Sequence, residues 1–401
     1  VALGRNLFFD KVLSGNRNIA CASCHQPAVA TGDGLSLALG EGAVGMAPNR
    51  VATASVQVIA RNAPPLFALG HQGVLFRDGR VQRDPATGAL TTPEPVLNGP
   101  TPTRPDLTAP LTTALAAQAL FPVATHAEMR GETGTNELAN APDNVTVWAL
   151  IMARLVGTQN GTQGGIAEYR TEFQAAFPAV TSFDLLTFSH AAQAIAAFEI
   201  ATFTLLDTPF DQYLAGNLQA LSAQQKSGAL VFSGRGRCVQ CHKGPLLSDE
   251  SFHALAIPQL GPGAGGEPDD RGRALISGDT RDNYRFRTPP LRNVGTTGPY
   301  MHDGAFVTLD RILQHYRNPA QSLQSYTGSE LTPALQATVD HDPTRDQARL
   351  AAVDPIIGPG IPLSPQDTQD LIAFLGALTD PAATSAASVP ATVPSGLPVA
   401  D

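Results

Sequence analysis

Apolar side chains recur at helical rather than strand spacing along this 401-residue chain, and four stretches carry the pattern most clearly. Within residues 183–206, Leu185, Phe188, Ala192, Ile195 and Phe198 fall at helical intervals, broken by the polar Asp184, His190, Gln193 and Glu199. Residues 6–13 and 111–119 read as shorter helices. Residues 366–378 follow Ser364-Pro365-Gln366-Asp367, where serine suits a helix cap and proline the first turn. Strand patterns are scarce. With 33 prolines and 37 glycines, long irregular connections are expected, notably at 84–110 and 261–270. Residues 381–401 have no core of their own and read as a low-complexity tail, free to wrap a surface.

The length suits two ordinary domains, with a boundary placed just before the long apolar helix: residues 1–180 and 181–380, then the tail. Formal charge is −9 and unevenly placed, with 12 basic against 13 acidic side chains in 1–180 and 14 against 22 in 181–401. An acidic second half disfavours nucleic acid and suits a basic electron-transfer partner. No apolar run approaches the roughly 20 residues of a membrane span. The chain opens at Val1 without a leader, which is read as a mature product whose export signal has been removed.

All four cysteines lie in two five-residue stretches, Cys21-Ala22-Ser23-Cys24-His25 and Cys238-Val239-Gln240-Cys241-His242. This spacing is the attachment signature of c-type haem, because two sulfurs and one imidazole must reach one edge and one face of a rigid macrocycle. A zinc site shared by the two pairs, or two redox dithiols, would leave the following histidines without a role. Two covalent haems are therefore expected, with His25 and His242 as proximal iron ligands. Such attachment takes place outside the bacterial cytoplasm, so a periplasmic, cell-surface or secreted location is expected. The fold class that follows is mainly α: two cytochrome c-like haem domains joined by long irregular loops.

Several further blocks resemble the bacterial dihaem cytochrome c peroxidase and MauG family, in order and over nearly the whole chain. They are Leu3-Gly4-Arg5-Asn6-Leu7-Phe8-Phe9-Asp10, Arg61-Asn62-Ala63-Pro64, Phe76-Arg77-Asp78-Gly79-Arg80 and Ala127-Glu128-Met129. The most specific is Phe286-Arg287-Thr288-Pro289-Pro290-Leu291-Arg292-Asn293-Val294, followed by Pro299-Tyr300-Met301-His302-Asp303-Gly304. The resemblance implies peroxide reduction at the first haem, electron entry through the second, and a calcium ion between the domains. It also implies a small cytochrome c or cupredoxin as donor, or a protein substrate, and it admits a homodimer.

The resemblance carries roles onto particular residues. Glu128 becomes the acid–base group for peroxide and Gln118 a second residue of that pocket. Tyr316, eight residues after Thr308, becomes the sixth ligand of the second haem, with His315 and Met301 as weaker alternatives. A phenolate there favours the higher oxidation states of iron. Calcium would use the Asn62 side chain and the carbonyls of Thr297 and Pro299. Arg77 stands where the family has a tryptophan between the haems, so that electron hop is lost or rerouted; Arg77, like Arg292, is expected to bind haem. The segment 43–61 holds no histidine and Met46 is its one soft ligand, so an open first iron is expected. His71, His126, His190, His253 and His341 are expected to be structural or solvated, with His302 supporting the second haem and Trp148 in a core. The readings carried forward are a dihaem peroxidase, a MauG-like oxidant of a partner's side chains, and a purely electron-transferring dihaem cytochrome.

Overall fold

The computed structural model describes residues 1–157 and 164–399. Its elements are mostly helices, built around two principal cores. In the first, helix Ala2–Phe9 turns Leu3, Leu7, Phe8 and Phe9 inward and lies across helix Phe188–Phe203. The crossing is close because position 4 is glycine: a Cβ there would stand 1.8 Å from the Ala194 carbonyl oxygen. Phe8 and Phe9 meet Phe198 with ring centroids 5.3 and 6.3 Å apart. Helix Asn144–Val156, capped by Asp143, completes this core and buries Trp148, whose indole donates to the Leu120 carbonyl at 2.8 Å. Trp148 is thus a core residue, as its apolar setting suggests.

The second core repeats the device. Helix Ala223–Ser233 packs on helix Pro365–Gly376, and a Cβ at Gly228 would stand 1.9 Å from the Asp370 carbonyl. Phe210 and Phe232 flank Phe374 at 5.2 and 5.3 Å. Ser364 caps helix Pro365–Gly376 with Pro365 in its first turn, as the sequence indicates. Helix Leu309–Arg317 lies on the same core.

Few residues are in strands. β1 (Val74–Leu75), β2 (Val81–Arg83) and β3 (Leu90–Thr91) form an antiparallel meander, and β4 (Phe252–Ala254) pairs with β5 (Arg285–Arg287) with Phe252 opposite Arg287. A third, small cluster joins Leu37 of the first half to Ile257, Leu260, Ala305, Phe306 and Tyr326 of the second.

Two sequence expectations need correction. The long helix Phe188–Phe203 belongs to the first core, with Ala191, Ala192, Ile195, Phe198 and Phe203 all buried in it. The division between cores therefore falls after that helix rather than at residue 180. An apolar helix preceded by a polar loop looks like the opening of a domain; here it is the first domain's last wall. The tail from 381 wraps the first core, as the sequence allows. Ala383, Val393 and Val399 enter the first core, and the Ser395 hydroxyl donates to Asp10 at 2.6 Å, which also accepts from Tyr169 at 2.7 Å. The stretch 84–110 is no bare loop, since it holds β3, the turn Pro95–Leu97 and the short helix Pro105–Thr108, with Leu97 and Leu107 buried.

Gly4→Ala is expected to push the two helices of the first core apart and to cost roughly 1–3 kcal/mol, the usual range for overpacking. A thermal melt followed by circular dichroism checks this, and an unchanged midpoint would show that the crossing is not tight.

Candidate functional site

The two cysteine pairs lie in different halves. Cys21 and Cys24 border the first core and Cys238 the second, and all four thiols are free. A single zinc ion shared by both pairs is thereby excluded. Burial pushes the thiols of Cys21, Cys24 and Cys238 up to about 12, the opposite of the lowered value that activates a redox dithiol.

Each following histidine is wired alike. His25 Nδ1 lies 3.1 Å from the Thr31 carbonyl, with the Pro64 carbonyl also in reach. His242 Nδ1 lies 2.9 Å from the Leu247 carbonyl, with Pro289 in the equivalent role. A carbonyl can only accept, so the proton sits on Nδ1 and the Nε2 lone pair is left for a metal. Burial lowers the pKa of both imidazoles, which keeps them neutral as ligation requires. Cys241, Asp249 and His253 also converge within 4.8 Å. His253, however, is already bracketed by Asp354 at 2.7 Å and Asp249 at 3.2 Å, and the thiol belongs to the second motif.

Around the first motif stand two carboxyls, Glu128 half-buried and Glu199 buried. Glu128 lies on the single π-helical turn His126–Arg130, whose Ala127 carbonyl is pinned by the Glu41 N–H at 2.9 Å. Burial raises the Glu128 pKa, partly offset by Arg80 and Arg61, and its charge is felt at Cys24. Gln118 ends the short helix Ala114–Gln118 at the edge of the same core. The second carboxyl escaped the sequence reading. Glu199 of the long helix is 7% exposed, its Oε2 has no partner, and burial pushes it up to about 8 beside Cys21. Its one sequence signal was an acid interrupting an apolar helix. Arg50 braces the loop near Cys24 by donating to the carbonyls of Leu39, Gly45 and Gly40. Met46 packs against the first core, and His71 and His126 are exposed.

At the second motif, Tyr316 projects from helix Leu309–Arg317 towards both thiols. Burial, then Cys238 and Cys241, push its phenol well above the ordinary tyrosine value. Its neighbour His315 is buried on another face with both nitrogens engaged, Nδ1 at 2.9 Å from Ser322 Oγ and Nε2 at 2.7 Å from the Leu255 carbonyl. Met301 packs in the small third cluster, away from Cys238. Arg292 does not fit its expected role. Its fork grips Asp211 at 2.8 and 2.9 Å and its Nε donates to the Pro245 carbonyl, so it braces the loop after His242 instead of offering free donors.

Between the halves runs a charged seam. Arg61 donates to Asp270 at 2.6 and 2.9 Å and to Asp78 at 2.6 Å. Burial alone would raise both carboxyls; the arginines overcome it and hold both below the ordinary carboxylate value. Arg77 and Arg287 are different. Among the described residues neither has a carboxylate partner. Arg77 donates to Asn62 Oδ1 at 2.7 Å and its Nε is unpaired; Arg287 donates to neutral oxygens of Gln72, Phe76 and Thr288. Burial, and for Arg77 the nearby Arg287, lower both to about 10. Half-buried Arg77 and buried Arg287 lie side by side, with Asp303 and Glu250 near them but bound to neither; together with two imidazoles presenting Nε2, they fit haem with its carboxylate side chains. His302 also lies in this seam, stacked on Phe286 at 3.8 Å. His190 caps its own helix at Thr187, and His341 is exposed.

Asn62, Thr297 and Pro299 meet, as the resemblance requires, around one cavity of about 10 Å³. Asn62 Nδ2 donates to the Pro299 carbonyl at 2.9 Å. Asp33 lines the same cavity, is 1% exposed, and leaves Oδ2 unpartnered. A set of hard oxygens with one unsatisfied carboxylate fits a hard cation.

The sequence signature described as di-haem cytochrome c peroxidase matches residues 1–219. The chain belongs to that family. It is 28% identical over 364 residues to the cytochrome-c peroxidase IdrP2 of Denitromonas iodatirespirans, covering 83% of this chain and 76% of that one. It is 27% identical over 392 residues to the methylamine utilization protein MauG of Methylorubrum extorquens, covering 97% and 81%. Among solved structures it resembles a MauG-like protein associated with microbial copper homeostasis, with a TM-score of 0.61 and 26% identity over 96% of this chain and 90% of the other. The mainly helical, cytochrome c-like fold expected from the sequence is thus borne out, and this dihaem peroxidase is an oxidoreductase that uses haem. An electron carrier without enzymatic activity is set aside. No helix of the described residues is long and apolar enough to cross a membrane.

Replacing Arg61 by Met in this dihaem peroxidase leaves Asp270 and Asp78 buried without their partner and is expected to cost about 3–5 kcal/mol at pH 7. Because these carboxyls titrate below their unfolded values, the stability they confer is present at neutral pH and is lost as pH falls below about 4. Urea denaturation at both pH values reads the difference, which should narrow in acid; an equal difference at both would mean that ionisation of these carboxyls is not the source of the stability.

Proposed function

We propose that the protein reduces hydrogen peroxide to water at a haem carried covalently by Cys21, Cys24 and His25. Cys238, Cys241, His242 and Tyr316 would hold a second haem, which would supply the route by which electrons enter. The haems supply the iron chemistry that cleaves the O–O bond and stores electrons. The protein supplies the proton traffic. Each turnover takes up two electrons and two protons per peroxide and releases two waters. Glu128 receives the proton of the nearer peroxide oxygen and hands it to the departing one, with Gln118 orienting the molecule by hydrogen bonding. Arg77 and Arg287 would hold haem carboxylates.

The observation carrying this reading is Glu128: a half-buried carboxyl beside the first motif, with raised proton affinity and no ion pair among the described residues. Motif attachment supports a periplasmic, cell-surface or secreted setting, and a small cytochrome c or cupredoxin as donor. Tyr316 favours a second reading, in which stored oxidising equivalents attack side chains of a partner protein; Arg77 in place of a tryptophan argues against it. Calcium at Asn62, Thr297 and Pro299, with Asp33 as the anionic member, would clamp the two halves.

Glu128→Gln is expected to lower peroxide turnover 10²- to 10⁴-fold, the usual worth of a general acid–base group, while both haems remain in the absorption spectrum. Retained turnover would remove Glu128 from the mechanism. Tyr316→Met should raise the second haem's reduction potential, since a neutral thioether stabilises ferric iron less than a phenolate does; an unchanged potential in a redox titration would exclude Tyr316 as ligand. Asp33→Asn should weaken calcium binding measured by calorimetry at least tenfold, and undiminished binding would place the ion elsewhere.

A further inference from the structure

The surface around the second motif differs from the rest of this acidic chain. From Gln212 to Ser248 the sequence carries Lys226, Arg235, Arg237 and Lys243 and no Asp or Glu, in a protein whose formal charge is −9. The same stretch is unusually apolar on its outside: Leu214, Leu218, Leu230 and Val239 are 67%, 60%, 74% and 38% exposed. Val239 sits between the two motif cysteines.

These residues form one face. Lys226 and Leu230 are a turn apart on the outer side of helix Ala223–Ser233. The Lys226 ammonium donates to the Leu218 carbonyl at 2.7 Å and lies 5.5 Å from the Tyr213 ring centroid, which joins the 213–218 turn to that helix. The helix then leads through Arg235 and Arg237 into the turn Cys238–Gln240. Arg237, Gln240 and Lys243 are exposed. Most carboxylates close to this face are engaged: Asp367 binds Arg235, Asp370 accepts from Gln366, Asp211 holds Arg292 and Asp249 faces His253, while exposed Asp207 accepts from Gln212 at the far edge. With Arg235 offset by Asp367, Lys226, Arg237 and Lys243 leave the outer rim cationic.

We infer that this apolar face with its cationic rim, at the mouth of the second motif, is the docking surface for a small redox protein bearing an acidic patch. The inference rests on the reading that electrons enter through the second haem, and it reverses the expectation drawn from net charge. Apolar residues at the centre with charges at the rim suit a brief electron-transfer encounter, in which the rim sets partner choice and on-rate. The overall −9 charge would repel an acidic donor at long range. Screening limits that repulsion beyond about 8 Å at physiological ionic strength, so the local rim decides the final approach.

The test uses the haem-loaded protein and two probes, an acidic plastocyanin-type cupredoxin and a basic mitochondrial-type cytochrome c, with binding read by calorimetry. The acidic probe should bind the more tightly and weaken as salt rises from 20 to 300 mM. Arg237→Glu with Lys243→Glu should weaken it at least tenfold, and Leu230→Ser, on an outward position that does not endanger folding, at least threefold. Tighter binding of the basic probe, or acidic-probe affinities within twofold of the parent in both variants, would overturn the proposal. Peroxide turnover with a small-molecule reductant is measured alongside. Its absence in the parent protein would count against the peroxidase reading, while the binding comparison still decides the docking face.

Discussion

Arg61 reaches from the first half of the chain to Asp270 in the second, and both are buried. An ion pair out of water is held by geometry rather than by charge alone, since desolvation offsets most of the attraction unless every donor finds an acceptor. Here the Arg61 fork is met twice by Asp270 and once by Asp78, and Asp78 in turn receives Arg80 at 3.0 Å. The same residues set the environment of Glu128, whose proton affinity is trimmed by Arg80 and Arg61. A contact that fastens the two halves therefore also tunes the carboxyl beside the first motif, so the assembly of the seam and the chemistry of the site are not separable.

The contrast with Arg77 and Arg287 is instructive because all three arginines share one seam. Two unit charges 4 Å apart interact by about 4 kcal/mol at an effective dielectric of 20, so leaving two cations adjacent and unpaired is a sizeable cost. Arg61 escapes it with protein carboxylates. Arg77 and Arg287 have no direct ion pair among the described residues, only the through-space pull of Asp303 and Glu250, which leaves their donors available to a cofactor's carboxylates. The seam is then incomplete as polypeptide alone, and cofactor loading should tighten the fit between the halves as well as arm the protein chemically.

Much of this was legible in the sequence because spacing is a local property. The two motifs, the Ser364 cap with Pro365 and the Phe286–Val294 block all express constraints acting within a few residues. Tyr316 could be preferred to His315 because one helical residue turns the side chain about 100°, and the structure spends both His315 nitrogens on Ser322 and Leu255. What stayed hidden depends on meetings across the chain. No local pattern reveals that helix Phe188–Phe203 closes the first core through Gly4, that Glu199 is buried without a partner, or that Asp33 faces Asn62 and Pro299. Arg287 was quoted within its block yet given no role, since an arginine's lack of a counter-charge is invisible until its neighbours are known. Net charge misled for the same reason: a sum over a whole half says nothing about which side of one helix carries its lysine.

The two halves use one plan with different endings. In each, a motif histidine is fixed by a carbonyl a few residues on and by a proline carbonyl from a block that also carries arginine, Arg61 to Pro64 in one and Arg287 to Pro289 in the other. In each, two helices cross at a glycine against a backbone carbonyl. The difference lies in what faces the motif. The first has two carboxyls of raised proton affinity, half-buried Glu128 and buried Glu199, beside its cysteines. The second has a phenol, Tyr316, and an outer rim carrying Lys226, Arg237 and Lys243. On the proposed function, proton handling would fall to one half and electron exchange with partners to the other. The link between them is a seam in which Arg61 is paired with Asp270 and Asp78, while Arg77 and Arg287 keep only neutral acceptors, so one part of it is fixed and the other is left for a ligand.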